Sequence, residues 1–134
     1  MNEVTIGAAI STIMNSMASL RHVYDSHESQ VEGYPAATIE VAEREAEFAD
    51  TMRNQNTYTY TVRIVQERQT VGTTKAERIV REIADEAIAL FDANYKLNNT
   101  CNFVMPITTR PFYAQSPTVD TRGVELTIKA IVVQ

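Results

Sequence analysis

The stretch from Thr57 to Gln66 constrains the fold more than any other part of the chain. Tyr58, Tyr60, Val62 and Ile64 alternate with Thr57, Thr59, Thr61 and Arg63. Side chains of a strand alternate between two faces, so this is a β-strand with one apolar side and one threonine-rich side. Aromatic and β-branched residues suit such a pleated surface. The apolar side needs a cover, and the next segment supplies one. Ala76, Ile79, Val80, Ile83, Ala84, Ala87, Ile88, Leu90 and Phe91 fall at helical spacing, with Lys75, Glu82, Asp85 and Glu86 largely opposite. That is an amphipathic helix of over four turns. Thr74-Lys75-Ala76-Glu77 has the spacing of a capping box at its start, and Asn94 is a natural stop.

The remaining elements follow from the same two periods. Ile6, Ile10, Ile13, Met14, Met17, Leu20 and Tyr24 predict a first helix from Val4 to Tyr24. Asp25 to Gly33 reads as a connection. Tyr34-Pro35 opens a strand in which Ala37, Ile39 and Val41 alternate with Thr38 and Glu40. Ala42 to Asn56 fits either an extended chain or a helical turn. A third strand is expected from Asn102 to Thr108, with Pro106 marking an edge or a bulge. Arg110 to Thr121, with Pro111 and Pro117, reads as a loop with some extension around Phe112. The last strand runs from Arg122 to Val133. The expected fold is one α+β domain, residues 1–134. It has a mostly antiparallel four-stranded sheet with two amphipathic helices on one face, in the order α-β-β-α-β-β.

The second face of that sheet is the informative one. On the last strand it begins with Glu125, Thr127 and Lys129 and turns apolar at Ile131 and Val133. Two β-branched residues on a wet face call for a cover, from a loop of the same chain or from a second subunit. Charge is also uneven. Glu40, Glu43, Glu45, Glu47 and Asp50 stand against Arg44 alone, a local −4 within a chain whose net charge is −5. Such a segment is a solvated loop, or a surface that repels a polyanion or meets a basic partner.

Conventional chemistry finds little support. The four glycines, Gly7, Gly33, Gly72 and Gly123, are too far apart for a phosphate-binding loop. His22, Asp25, His27 and Glu28 form the one cluster of ligand-type residues, but its spacing is not that of a helical zinc pair. Cys101 is the single cysteine and has no adjacent base. Glu43, Glu45 and Glu47 could serve as paired carboxylates, yet no histidine or aromatic platform flanks them. The expectation is therefore no enzyme, no cofactor and no metal. An acidic balance disfavours nucleic-acid binding by bulk attraction. No apolar run is long enough to span a bilayer, and acidic Glu3 stands where a secretory leader would be basic. Folding in a cytoplasm is the expectation.

Four stretches carry a resemblance: Tyr34-Pro35-Ala36-Ala37-Thr38-Ile39-Glu40-Val41, Asn56 to Val65, Lys75 to Ile83, and Gly123 to Val133. In their order they resemble the tail terminator (tail completion, or neck) proteins of long-tailed bacteriophages, over about Val4 to Val133. The resemblance implies a structural virion protein. Such proteins form a six-membered ring on the head-proximal end of the tail tube, stop its polymerisation and meet the head completion proteins. DNA passes through the lumen without being bound. The implied partners are copies of itself, the tail tube protein and a neck protein. The implied location is the virion, with assembly in the host cytoplasm. On this view Glu43, Glu45, Glu47, Asp50, Ile131 and Val133 are the candidate interface or lumen residues. The alternatives are a neighbouring neck protein of the same virion, a small dimeric α+β binding module, and an enzyme using the acidic segment's carboxylates.

Overall fold

The computed structural model describes residues 3–24, 33–48, 50, 52–69, 71–115 and 120–133. Within them the order is α1 (Glu3–Asn15), β1 (His22–Tyr24), β2 (Ala36–Phe48), β3 (Asn54–Glu67), α2 (Thr73–Ala93), β4 (Phe103–Val104), β5 (Thr108–Gln115) and β6 (Asp120–Val133). The strands form one curled, mixed sheet in the order β1-β2-β3-β6-β4, with β5 also on β6. β1 is parallel to β2, and the other pairs are antiparallel. This corrects the expected four-stranded sheet and the α-β-β-α-β-β order. Six strands are present, and the two additions come from segments that read as helix end and as loop.

The core lies on one face of the sheet. Tyr58, Tyr60, Val62 and Ile64 of β3 join Val124, Leu126, Ile128, Ala130 and Val132 of β6 there. Ile6, Ile10 and Met14 of α1 and Val80, Ile83, Ala87 and Phe91 of α2 complete it. Each fully buried aliphatic or aromatic side chain of this kind contributes about 1.5–3 kcal/mol of transfer free energy. The helix stripe and the strand alternation thus met as expected, with both helices on the same side.

Four local corrections have physical causes. First, α1 ends at Asn15 and not near Tyr24. Asn15 Nδ2 donates to the Ser11 carbonyl at 2.9 Å and Ser16 Oγ to the Ile13 carbonyl at 2.5 Å. Such local side-chain bonds compete with helix continuation, and His22–Tyr24 becomes a strand instead. Second, α2 starts at Thr73 with Gly72 as its cap and no side-chain capping bond, so Thr74 is not the N-cap. Asn94 does occupy the C-cap. Third, the Asn102–Thr108 strand is broken, with only Phe103–Val104 pairing before Pro106. Fourth, Arg110–Gln115 is strand, not loop. Pro111 is tolerated because β5 pairs on one side only. Among the described residues no helix is long and apolar enough to cross a membrane.

Candidate interaction surface

The ambiguous acidic segment resolves into a hairpin arm. β2 and β3 stay paired from Ala36↔Val65 to Phe48↔Asn54. Ala36 to Ile39 of β2 are buried, while Val41 to Phe48 are all exposed. The arm's distal half is held by backbone pairing, without helix cover on β2. Asp50 closes its tip. One carboxylate oxygen accepts the Met52 and Arg53 amides at 2.8 and 2.9 Å. The other lies 2.8 Å from the Arg53 guanidinium. The Met52 amide, then the Arg53 side chain, hold its carboxyl below the usual carboxylate range. Asp50 is thus a structural turn residue.

A single bulge decides what the arm presents. The register slips between Val41 and Glu43, leaving Ala42 as the extra residue. Before it, odd-numbered Ala37, Ile39 and Val41 sit opposite Ile64, Val62 and Tyr60, on the helix-covered face. After it, odd-numbered Glu43, Glu45 and Glu47 sit opposite Thr59, Thr57 and Gln55, on the other face. A shift of one residue exchanges faces for every following side chain. Without the bulge, the three glutamates would point to the helix side.

The outer face therefore has an order that sequence periodicity alone did not show. Glu43, Glu45 and Glu47 form an acidic column on β2. Thr59, Thr57 and Gln55 form a polar column on β3. Lys129, Ile131 and Val133 follow on β6, with Phe103 beside Ile131. The structure thus brings the acidic and apolar candidates onto one face, two strands apart, or roughly 10 Å. Among the described residues neither Glu43 nor Glu45 forms an ion pair, and Glu47 accepts from Gln55 Nε2 at 3.2 Å. Arg44 turns to the opposite face, 5.2 Å above the Tyr58 ring. Of the two covers that the sequence left open for Ile131, its own chain supplies one: it is 3% exposed in the lone chain, flanked by Thr57 and Phe103. Val133 is half-buried, and Phe103 and Met105 are the exposed apolar residues nearby.

Further along the same face, charges run across the whole sheet. Arg63 Nη1 lies 2.8 Å from Glu40, and its Nε 3.3 Å from Glu125. Arg110 Nη2 reaches the other oxygen of Glu125 at 3.2 Å. Strands β2, β3, β6 and β5 are pinned in register by this ladder. Glu125 lies on the face that the alternation of the last strand marks as polar, whereas Arg110 falls in the segment expected as loop, where no period singles it out.

Other sequence candidates are dispersed. His22 stacks on Tyr24 with ring centroids 5.9 Å apart, while Asp25, His27 and Glu28 lie outside the described residues. Cys101 is buried, and that burial pushes its thiol up to about 11. A cleft of about 280 Å³ lies between the start of α1 and the root of the arm, lined by Val4, Gly7, Ala8, Ile39, Val41 and Tyr60 with Glu3. The Tyr60 hydroxyl donates to the Glu3 carbonyl. Burial first, then the Glu3 charge, raises its phenol above the ordinary range. The cleft walls are mainly apolar, and among the described residues no cluster of three metal-ligating side chains occurs. No protein-family model matches the chain, and comparison with curated proteins gives no match either.

Proposed function

We propose that this chain is a structural assembly subunit of the tail-terminator kind, building a ring at the head-proximal end of a phage tail tube. The ring ends tube polymerisation and joins the tail to the neck proteins. The observation that carries this reading is the arm. Glu43 to Phe48 make a regular strand, exposed throughout, that among the described residues pairs on one side only. A strand edge of this kind is a template for another chain. It is costly to leave unused, since it invites aggregation.

The outer face supports a wall along a DNA path. Over the arm it carries the acidic column with Thr57 and Thr59 beside Lys129, a net negative stretch that repels a phosphate backbone, while Arg63 and Arg110 further along are taken up by Glu40 and Glu125. A small dimer formed edge to edge through β2 is disfavoured. It would set the Glu43, Glu45 and Glu47 column against its own copy, and like charges across strands are destabilising. A role for these glutamates as acid–base groups is also disfavoured, since all three stand on open surface away from the cleft.

Negative-stain microscopy of the purified chain mixed with tail tubes tests the proposal. Rings alone, or rings capping one tube end, are expected. Monomers in every field, with tubes growing past their normal length, would overturn it.

A further inference from the structure

Among the described residues, the sheet has two long edges, each closed at one end. On the β2 edge, β1 covers Ala36 to Thr38. On the far edge, β4 is covered because the Val104 amide donates outward to the Tyr95 carbonyl at 2.8 Å. Among the described residues, what stays open is diagonal: Val41–Phe48 of β2 at one corner, and β5, Thr108–Gln115, at the other.

These two open edges complement each other in three respects. The first is polarity. β2, β3, β6 and β5 alternate in direction, so β2 and β5 run antiparallel. A second copy in the same orientation would present its β2 antiparallel to β5. The second is charge. On the outer face β2 carries Glu43, Glu45 and Glu47, and β5 carries Arg110, whose side chain is 74% exposed. A β2–β2 contact joins acid to acid, and a β5–β5 contact centred on Arg110 joins base to base. The mixed contact alone joins opposite charges, and it is heterologous, the type that generates rings.

The third respect is stagger. Arg110 is level with Glu125 and Arg63, whereas Glu45 is level with Thr57, six residues away along β3. Bringing Glu45 of one copy level with Arg110 of the next slides it by six residues over four strands. With about 3.3 Å per residue and about 4.8 Å between strands, that slide tilts the strands by roughly 45° to the ring axis. Closed sheets require a tilt of about 35–45°. The tilt follows from the diagonal placement of the edges and does not depend on the number of copies.

We infer that β2 of one copy pairs antiparallel with β5 of the next, Glu45 opposite Arg110, so that successive sheets run on into one closed, staggered wall. The inference rests on the ring reading and names its joint. Glu43 and Glu47 lie on the diagonals within reach of the same guanidinium. Pro111 leaves one bond of the new ladder unmade, as a proline on an edge strand does.

Two single variants, Glu45→Cys and Arg110→Cys, test the joint by disulfide formation under mild oxidation. Cys101 stays in place because it is buried. A 45–110 cross-link is expected when the two proteins are mixed, and little from either alone. In parallel, Arg110→Glu is expected to weaken self-association about tenfold, from the loss of a close opposite-charge contact. Adding Glu45→Arg in the same chain is expected to restore it. Both groups are exposed, but Arg110 also lies 3.2 Å from Glu125, so each variant's urea midpoint is read alongside. Arg110→Gln, which sets no carboxylate against Glu125, is expected to weaken association in the same direction. Rings of unchanged mass with Arg110→Glu, together with no mixed cross-link, would overturn this joint and leave the ring reading standing. A wild-type chain that never assembles, with or without tubes, would bring down both. A cross-link from Glu45→Cys alone would replace the ring joint by a two-fold β2–β2 contact.

Discussion

The two halves of β2 share a strand partner and little else. Ala36 to Ile39 are buried and touch the helix-covered core or the packed sheet centre, while Val41 to Phe48 are exposed on both faces. Backbone pairing is continuous through both apart from the bulge. The contrast teaches that a hairpin ladder sets strand geometry, whereas burial sets stability. A chain that keeps a long ladder outside its core holds it available for something else.

The largest expected break in that comparison comes from the core. Leu126→Ala, at a wholly buried position, is expected to cost about 2–5 kcal/mol in denaturant unfolding. Phe48→Ala on the arm, 83% exposed, is expected to stay within about 0.5 kcal/mol. Comparable losses at both sites would mean that the arm is packed in the folded monomer.

Next comes Gly123→Ala. A Cβ there would sit 2.5 Å from the Phe112 ring and 2.8 Å from the Ile64 carbonyl oxygen. The ring can shift but the backbone oxygen cannot, so overpacking of about 1–3 kcal/mol is expected. A neutral result would show that β5 lies further from β6 than described.

A pH effect separates core from arm. Cys101 keeps its proton in the folded state up to about 11, against 9.0 as its ordinary value. The unfolded chain therefore holds fewer protons between these two values. Stability should fall as pH rises through that window, and Cys101→Ala should flatten the slope. Thiol labelling at pH 8 should be slow until denaturant is added.

On the arm the sign is opposite. The Asp50 carboxyl is held low by the Met52 amide and Arg53. Its contribution is present above the unfolded carboxylate value and is lost as pH falls through the depressed one. The protection of the Met52 and Arg53 amides relative to the intrinsic exchange rate at each pH should fall in acid, and their exchange should quicken in Asp50→Asn at neutral pH, with global stability unmoved.

The smallest effect is expected from Glu43→Gln, Glu45→Gln and Glu47→Gln together. Relief of repulsion along one column should raise monomer stability by a few tenths of a kcal/mol at most. A large destabilisation would mean that the glutamates hold the arm rather than decorate it.

Much of this architecture was legible in the residues. The two-residue period of Thr57–Gln66 and Val124–Val132 placed the central strands, and the 3.6-residue stripe of Ala76–Phe91 placed the helix over them. Those signals are strong because burial selects every second or every third to fourth side chain. Edges were not legible in the same way. β5 has little burial to impose alternation, and its proline reads as a break although only one side of the strand is paired. β1 is three residues long, too short for any period to show.

The sequence by itself determined which side chains leave water: a strict apolar alternation and an amphipathic stripe admit one arrangement of sheet and helix, because misplacing either exposes the whole set. Only the tertiary structure decided where the glutamates point and which edges stay open. The first hangs on one unpaired residue, Ala42, whose effect exists only in the register with β3. The second hangs on β1 and Tyr95 closing opposite corners of the sheet. Both are matters of pairing between distant segments, and local periodicity carries no record of them.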